Sequence, residues 1–535
     1  MRLSSVEGRF EPTVDGKCAA ADNGMVSSAF PDATAAGAEI LAEGGNAIDA
    51  ACATAFALSV CEPQASGLGG QAVGLVHFDG RTRAIDGSSR VPSLAHRSRI
   101  KGDAKNTGYR ATTVPSLPAV YGWLHEHYGV LPWRRVLEPA IRLAKNGYEI
   151  TQLQHDLQER ELEKFRAVPS GSGARYFLKR AAEPYEPGEL FQQPDLATLL
   201  ELIAREGCQA FYNGDVAAQI DADMRDNDGL LRADDLALIP WPIERRPLRR
   251  RYRTVLVYTM PPPGAGRTLL LVMMMLNHLK SRFLAGRTPS RYHFVAETLR
   301  KAFLLRQDRP FNPNTYPQIR EKLMLRRSLA REMASTIADE MDATIPLEAP
   351  APVSDTTHFS VMDQTGNVAS MTQSIELVYG SKAAAKGLGF LYNNYLGALE
   401  YKQPEHPYYL RPNAIPWSTA TPTIVFRDQR PWLALGSPGS ERIFSTVSQF
   451  LTDIVDRSAT LSEAMLEPRF HCAVDGTISL EAERFEPDVL EHLTSLGYKL
   501  DEREPFAFYL GCVQAVLKAQ TGGGFQGVAD IRRDG

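Results

Sequence analysis

The segment Asp355-Thr356-Thr357-His358-Phe359-Ser360-Val361-Met362-Asp363 has the alternating pattern of a β-strand that begins with threonines. A turn signal, Gln-Thr-Gly, follows at residues 364–366, and residues 367–372 alternate again, so the sequence predicts a β-hairpin. Residues 346–354, ahead of the strand, are rich in Pro and Ala and are predicted to form a flexible loop. Thr356 is therefore expected where a flexible loop enters the first strand of a sheet.

Thr356 is the candidate nucleophile of the chain. If the peptide bond before it is cut, one residue carries both a hydroxyl nucleophile and a free α-amine that can serve as its base. An α-amine has a pKa of about 8, close to the usual working pH, and this suits proton transfer. The structural alternative is that Thr356 simply begins a strand, because β-branched residues suit strands. The local pattern alone does not decide between these interpretations.

Size and composition are those of an ordinary globular protein. The chain has 535 residues, of which 44% are hydrophobic and 23% charged, and its net charge is −4 with both signs intermixed. This charge gives no reason to expect a nucleic-acid partner. The most basic stretch, residues 244–253, is compatible with an anion-binding patch, but we favour a solvated strand edge.

No segment of the sequence predicts export or insertion into a membrane. Residues 1–9 lack the apolar core of a signal peptide, and no uninterrupted apolar run approaches about 18 residues. The cysteines show no CxxC pairing, and Cys52 and Cys61 lie in an apolar helical stretch typical of a core. We therefore expect reduced thiols and a cytoplasmic protein.

The predicted secondary structure changes at Thr356 from helix-rich to strand-rich. Residues 1–24 are mostly polar and predict a loose arm. After Thr356 short β-like runs dominate, with helices expected over 444–455 and after Ser462. Before it, the patterns predict helices from Asp32 and from Asn46 to Val60, a glycine loop at 66–70, a strand at 72–78, amphipathic helices within 120–165 and 195–225, a long helical pair within 268–310 and charged helical segments within 315–345. Pattern alone supports no more than an α/β or α+β class.

Several further motifs stand in an informative order along the chain. They are Glu43-Gly44-Gly45-Asn46-Ala47-Ile48-Asp49-Ala50-Ala51, Ser66-Gly67-Leu68-Gly69-Gly70, Met260-Pro261-Pro262-Pro263-Gly264, Asp308-Arg309, Asn393-Asn394, Thr421-Pro422-Thr423-Ile424-Val425, Gly436-Ser437-Pro438-Gly439-Ser440 and Glu467-Pro468-Arg469-Phe470-His471. Together with Thr-Thr-His-Phe-Ser-Val at 356–361, they resemble the γ-glutamyltranspeptidase family of N-terminal nucleophile hydrolases over about residues 24–533. The resemblance implies an α/β fold, the four-layer αββα sandwich of that superfamily.

The resemblance also implies an autocatalytic cut between Asp355 and Thr356. Residues 1–355, including the arm at 1–24, would form a large subunit, and residues 356–535 a small one. The two would stay together as one αββα domain. Thr356 would then attack a small-molecule acyl amide and pass the acyl group to water or an amine, without a cofactor or a metal.

The family's other catalytic positions map onto hydroxyl and glycine residues. The oxyanion pair corresponds to Gly439 and Ser440, and because a backbone N–H is the donor, serine can serve in the second place. Ser374 falls where the family has a hydroxyl near the nucleophile. The alternative for Ser374 is that it satisfies strand hydrogen bonds.

The substrate-binding positions match the family less well. Paired hydroxyls are present as Ser418 and Thr419, Asn394 belongs to the matching Asn-Asn motif, and Arg90 lies two positions after the place of the family's carboxylate-binding arginine. Two residues differ more sharply. Glu376 replaces an asparagine, and Ala398 replaces the aspartate that pairs with a glutamyl α-ammonium.

These differences leave several functions open. A non-glutamyl acyl donor with a carboxylate or oxo-acid end is favoured, because alanine cannot pair with a buried ammonium. True γ-glutamyl hydrolysis or transfer comes next, and biosynthetic acyl cleavage in secondary metabolism is third. A non-catalytic relative of the fold is disfavoured because Thr356 and Gly439 are present. A metal hydrolase is disfavoured because no close ligand set such as HExxH appears.

Overall fold

The computed structural model describes residues 16–100, 102–308, 324–337, 355–519 and 523–535. Several predictions fall outside these residues: the arm over 1–15, Arg309 of the Asp-Arg motif, the helical patterns within 315–323 and 338–345, and the Pro/Ala-rich loop at 346–354.

The strands are distributed along the whole chain. They are β1 (Cys18–Ala21), β2 (Gly24–Ser28), β3 (Gln71–Phe78), β4 (Arg81–Gly87), β5 (Tyr148–Glu149), β6 (Leu190–Phe191), β7 (Ile243–Arg245), β8 (Leu248–Tyr252), β9 (Val255–Thr259), β10 (Thr357–Asp363), β11 (Val368–Ser374), β12 (Thr423–Arg427), β13 (Arg430–Gly436), β14 (Phe470–Cys472), β15 (Thr477–Glu481), β16 (Lys499–Arg503), β17 (Gln514–Lys518) and β18 (Phe525–Ala529).

Two large antiparallel sheets form the centre of the molecule. One has seven strands in the order β1-β18-β17-β13-β12-β9-β8, and the other has six in the order β2-β10-β11-β3-β4-β7. Both sheets mix strands from before and after Thr356, since β10 pairs with β2 and β12 pairs with β9. A chain cut at Thr356 would therefore leave two pieces that share both sheets.

The helices are α1 (Pro31–Ala42), α2 (Ala47–Cys61), α3 (Leu117–Tyr128), α4 (Trp133–Asn146), α5 (Gln152–Arg166), α6 (Ser172–Phe177), α7 (Pro194–Glu206), α8 (Gly214–Asp226), α9 (Ala233–Ala237), α10 (Gly266–Leu276), α11 (Ser281–Ala285), α12 (Pro289–Asp308), α13 (Arg327–Ser335), α14 (Ile443–Asp456), α15 (Leu461–Leu466) and α16 (Pro487–Ser495). Helices α1 to α4 cover the six-stranded sheet, and α10, α12 and α14 cover the seven-stranded sheet. None of the described helices is both long and apolar enough to span a bilayer.

A third core fills the space between the two sheets. Leu75, Met362, Ile424, Ala434 and Val516 come from both sheets and are almost fully buried there. With helices outside each sheet, this makes the four-layer αββα sandwich that the family resemblance implied.

Helix α2 shows how local sequence determines an element. The Asn46 side chain accepts hydrogen bonds from the N–H groups of Ile48 and Asp49, and the Asp49 carboxylate accepts one from Asn46 N at 3.0 Å. This capping box starts the helix at the predicted place. The small side chains that follow are all buried, including Cys52 and Cys61, which the sequence placed in a core.

The predicted loose arm over 1–24 is wrong for its described part. Residues 18–21 form β1, an edge strand that pairs with β18, and Lys17 Nζ donates to the carbonyls of Arg533 and Asp534 at 3.2 and 3.0 Å. The side chains of β1 are mostly exposed, so its sequence has no alternating apolar pattern that would predict a strand. Backbone pairing with the C-terminal strand holds it in place.

The long helical pair predicted within 268–310 is also corrected. The described residues form three helices there, α10, α11 and α12. Non-helical residues interrupt the helical pattern at 277–280 and again at Gly286-Arg287-Thr288. The basic stretch at 244–253 lies on β7 and β8, which are edge strands of the two sheets.

Candidate active site

The β10–β11 hairpin brings Thr356 beside Ser374. Its register pairs Thr357 with Gln373, so the next pair along is Thr356 and Ser374, at the end of the hairpin remote from the turn. The turn at residues 364–367 is closed by Asp363, whose carboxylate accepts hydrogen bonds from the Thr365 and Asn367 N–H groups. A local turn thus sets which hydroxyl meets the candidate nucleophile.

Two hydroxyl groups face the carbonyl of the bond predicted to be cut. Thr356 Oγ1 lies 2.7 Å from the Asp355 carbonyl oxygen and 3.1 Å from Ser374 Oγ. Ser374 Oγ accepts from Glu376 N at 2.8 Å and donates to the Asp355 carbonyl at 3.0 Å. Thr356 is 7% exposed. The arrangement holds a nucleophile and a hydrogen-bond donor against one carbonyl group.

The Asp355 side chain belongs to a buried ion network. Arg533 pairs with Asp355 and also donates to Glu62 Oε1 at 2.9 Å, while Thr356 N donates to Asp355 Oδ1 at 2.8 Å. Burial raises the pKa of Glu62 to about 8, and the nearby charge of Asp355 acts in the same direction while Arg533 opposes it. Glu62 is therefore mostly protonated at neutral pH, and Arg533 with Asp355 forms a nearly neutral pair.

A cavity of about 320 Å³ opens at Thr356. The six-stranded sheet contributes Gln71 and Val73 of β3 and Thr372 and Ser374 of β11, and the segments before β12 and after β13 also contribute lining residues. Among the described residues, its lining includes Thr356, Ser374, Glu376, Ala398, Ser418, Thr419 and Ser440 from the sequence predictions, together with Arg306, Tyr395, Glu400, His406, Tyr408, Trp417 and Glu441. This size is at the lower end of the range for small-molecule sites.

Gly439 and Ser440 follow β13 in unusual backbone conformations. Gly439 has φ 120°, a region that side chains rarely adopt, and Ser440 has φ 52° in the left-handed region. Such a conformation costs a non-glycine residue about 1 kcal/mol. Ser440 lines the cavity, while Gly439 precedes the short helical turn Ser440–Arg442. The chain thus presents backbone N–H groups near the cavity at a strained turn.

Glu376 and Asn394 occupy the loop that follows β11. Glu376 lines the cavity, and burial raises the pKa of its carboxyl to about 7. Asn394 does not reach the lining: its Oδ1 accepts from Leu377 N at 3.0 Å and its Nδ2 donates to Asn106 O at 2.7 Å. Asn394 therefore positions the loop that carries Glu376.

Of the substrate-binding residues predicted from the family pattern, some line the cavity and others do not. Ser418, Thr419 and Ala398 line the cavity, as expected. Arg90 is not among the described lining residues; its carbonyl accepts from Val114 N at 2.8 Å. Arg90 stands after the end of β4, where its backbone bridges to Val114, and its contact with an acyl carboxylate stays a prediction.

Comparison with known proteins agrees with this geometry. The sequence profile of the gamma-glutamyltranspeptidase family matches residues 33–535. The chain belongs to the γ-glutamyltranspeptidase family. The glutathione hydrolase proenzyme of Escherichia coli strain K12 is 30% identical, with 94% of this chain and 89% of the relative covered. The acylase ACY 1 proenzyme of Pseudomonas sp. strain V22 is 33% identical, with 91% and 89% covered.

Solved structures place the chain in the same family. The cephalosporin acylase from Bacillus halodurans superposes with a TM-score of 0.88 at 26% identity, over 98% of this chain and 97% of that one. The chain is therefore an enzyme of the hydrolase and acyltransferase type found among γ-glutamyltranspeptidase relatives, with their αββα fold.

Several residues at this site were not predicted from the sequence. Arg533, Arg306 and Trp417 come from a C-terminal turn, a distant helix and a loop, and no local pattern connects them with Thr356. Glu62 was visible only as a helix end. Arg306 is one of several arginines inside a long helical pattern, and nothing in the sequence sets it apart from the others.

A wider cleft of about 1500 Å³ lies at the opposite end of the sheets, near the β10–β11 turn. Its lining includes Arg246, Arg249, Arg251, Arg430 and Lys518. None of the predicted catalytic residues lines it. The smaller cavity is therefore the candidate active site.

Proposed function

We propose that this chain is a self-processing N-terminal threonine hydrolase, which cuts itself between Asp355 and Thr356 and then cleaves amides through an acyl-threonine. The observation that carries this is the placement of Thr356 Oγ1 and Ser374 Oγ, at 2.7 and 3.0 Å, on the Asp355 carbonyl oxygen. A structural threonine has no need of a second hydroxyl on the same carbonyl inside a cavity.

The processing step follows from these contacts. Thr356 Oγ attacks the Asp355 carbonyl carbon, with Ser374 donating to the oxygen as it becomes negative. The hydroxyl proton passes to the amide nitrogen as the peptide C–N bond breaks, so the acyl group moves to oxygen as an ester and the nitrogen leaves as a free amine. Water then hydrolyses the ester, giving the Asp355 carboxylate and restoring the Thr356 hydroxyl.

Catalysis on a substrate repeats this chemistry. The new α-amine of Thr356, with a pKa of about 8, takes the hydroxyl proton as the oxygen attacks the substrate amide. The backbone N–H groups at Gly439 and Ser440 are proposed to bind the oxyanion. The amine returns the proton to the leaving nitrogen, and water or a second amine then takes the acyl group from Thr356.

The test of this function is the state of the purified chain. On a denaturing gel the wild type should give fragments of 355 and 180 residues, counted from the proposed cut, with intact mass locating the new N-terminus at Thr356. Thr356→Ala should stay uncut and inactive, while Thr356→Ser should still process. An uncut wild-type chain that hydrolyses amides would overturn the proposal.

The donor is proposed to be an acyl group other than γ-glutamyl. Ala398 lines the cavity and has no charge for an α-ammonium, and leaving that ion unpaired costs several kcal/mol. A cephalosporin acylase and the acylase ACY 1 proenzyme are among the similar proteins, which supports such a donor.

A γ-glutamyl donor is the second candidate. Glutathione hydrolase proenzymes are 30% identical to the chain, and Glu376 places a carboxyl in the cavity lining that carries negative charge when ionised. Hydrolysis of γ-glutamyl and glutaryl p-nitroanilide separates the two, because these donors differ only in the α-amine. We expect wild type to prefer the glutaryl compound and Ala398→Asp to shift the ratio towards γ-glutamyl by about tenfold or more. A strong wild-type preference for γ-glutamyl would select the second candidate.

A further inference from the structure

One cation in the cavity wall has no anionic partner among the described residues. Arg306, on α12, is 5% exposed and lines the cavity that contains Thr356. Its Nη2 donates to the carbonyl oxygens of Ser418 at 2.5 Å and Pro263 at 3.4 Å. In the part of the chain that the structure describes, no carboxylate oxygen lies within 4.0 Å of this guanidinium.

The guanidinium lies over the ring of Trp417. Arg306 Cζ lies 4.6 Å from the centre of the Trp417 ring, and Tyr408 stacks on the same indole with ring centres 5.1 Å apart. All three side chains line the cavity. An arginine stacked on an aromatic ring loses little freedom when its N–H groups bind a planar acceptor.

The charges around Arg306 favour an incoming anion. Burial lowers the pKa of Arg306 to about 9, with Tyr408 and Glu441 opposing the shift and Arg267 adding to it, so the group stays charged at neutral pH. Glu441 also lines the cavity, and burial raises the pKa of its carboxyl despite the nearby Arg442 and Arg306. Glu441 is thus a weakened counter-charge, and a buried cation without a full partner is unfavourable.

We propose that Arg306, stacked on Trp417, binds the carboxylate at the far end of the acyl donor and so makes this enzyme selective for monoamides of dicarboxylic acids. This inference rests on the proposed function and names its substrate class. The guanidinium supplies parallel N–H donors, which match the two oxygens of a carboxylate.

Ala398 places a second constraint on the donor. Ala398 offers no charge to an α-ammonium, so a donor that carries a carboxylate without an adjacent amine fits both positions. A donor with neither charge would leave Arg306 buried without a partner, and the enzyme should discriminate against it.

The test compares two donors of equal chain length in wild type and Arg306→Met. Glutaryl p-nitroanilide carries the carboxylate, and valeryl p-nitroanilide replaces it with a methyl group. For glutaryl, the kcat/KM of the variant should fall about 100-fold, mainly through KM, as when one partner of a buried charge pair is removed. For valeryl, kcat/KM should change less than about threefold. Arg306→Lys should recover part of the glutaryl activity, because it restores charge without the planar fork.

Two controls separate the loss of a carboxylate-binding residue from a folding defect. Processing into two fragments needs no donor, so Arg306→Met should still be cut fully at 355/356. Arg427→Met removes another arginine stacked on a tryptophan, Trp432 at 5.3 Å, outside the cavity lining, and should leave both donors unaffected.

The outcomes distinguish the proposed Arg306 site from the proposed threonine chemistry on which it rests. If wild type cuts itself and hydrolyses both donors equally, or if Arg306→Met lowers both equally while still processing, the Arg306 site is refuted and the threonine chemistry stands. If wild type neither cuts itself nor hydrolyses any amide, the proposed function itself fails.

Discussion

The two ends of the cavity differ in how the protein satisfies their polar groups. At the nucleophile end, Thr356, Ser374 and Asp355 are linked to one another by contacts of 2.7 to 3.1 Å. At the recognition end, the Arg306 guanidinium donates only to carbonyl oxygens among the described residues, and the Ala398 side chain carries no polar atom.

This difference separates what the family shares from what distinguishes the chain. At the nucleophile end the polar groups contact one another without a ligand, and the proposed first substrate there is the chain's own peptide bond. The recognition end lacks the aspartate of glutamyl-specific relatives and has a buried cation instead. Chemistry and specificity should therefore respond to substitutions independently, and this independence can be tested.

The largest effect is expected for Arg533→Met at the nucleophile end. The change leaves Asp355 buried beside Glu62 with no cation, and breaking a buried pair in this way costs about 3–5 kcal/mol. We expect a lower Tm and accumulation of uncut precursor, measured by calorimetry and on a denaturing gel with time.

A surface pair provides the control for Arg533. Arg503 pairs with Asp501 at 2.6 Å, with both side chains about one-third exposed, and Arg503→Met should cost at most about 1 kcal/mol and process normally. Asp355→Asn added to Arg533→Met should recover part of the lost Tm, because no buried anion then remains. Normal stability and cleavage in Arg533→Met would show that the ion network is dispensable.

The second effect concerns the oxyanion donors. Gly439→Ala forces a side chain onto a backbone at φ 120° and shifts the N–H groups of this turn, so kcat should fall about 10²–10³-fold with little change in KM. The matched control is Gly207→Ala, also at positive φ (86°), with open space around the added Cβ and far from the cavity lining. It should lose comparable backbone stability but no kcat per folded molecule. A kcat within about threefold of wild type in Gly439→Ala would remove this turn from the mechanism.

The third effect tests Ser374 as a helper. Ser374→Ala removes the donor to the Asp355 carbonyl, and both processing and kcat should slow by about 10–100-fold. Ser370→Ala deletes another buried hydroxyl of β11, one that donates to Leu435 O at 3.2 Å, and should leave both rates unchanged. Equal slowing in the two variants would mean that Ser374 only stabilises the strand.

The nucleophile end could be predicted because its contacts are local. The hairpin pattern and its tight turn fix the register, and that register alone sets Ser374 opposite Thr356. Family motifs located Gly439 and Ser440, although only the structure reveals the left-handed backbone at Ser440. Asn394 was located in sequence but assigned a different role, because its amide is used by the backbone of Leu377 and Asn106.

The recognition end could not be predicted for the opposite reason. Arg306 and Trp417 are separated by more than 100 residues, and their stack depends on how α12 packs against the loop before β12. Arg90, two positions after the place of the family's arginine, is not among the described lining residues, and sequence spacing alone does not give the direction of its side chain. Tertiary packing, which carries no local periodicity, decides both cases.

The smallest effect concerns the charge of Glu376 at the recognition end. Burial raises the pKa of Glu376 to about 7 from an ordinary 4.5, so the folded protein binds this proton more tightly than the unfolded chain. Its contribution to the free energy of unfolding is therefore complete below about pH 4.5 and is lost as the pH rises through about 7. Glu376→Gln, which cannot ionise, should be more stable than its parent at pH 8 by about 1–3 kcal/mol and equal to it near pH 4.5.

The measurement is best made in the uncut Thr356→Ala chain, where unfolding does not separate two subunits. A shift of about 1–3 °C in Tm at pH 8 is expected for a protein of this size. Glu400 lines the same cavity and supplies the control of opposite sign. Although burial alone raises its pKa, the N–H groups of Lys402 and Gln403 donate to the carboxylate and hold that pKa below its usual value. Glu400→Gln should therefore lower Tm at pH 8. If both variants shift Tm in the same direction, the pKa of Glu376 is not raised in the folded protein.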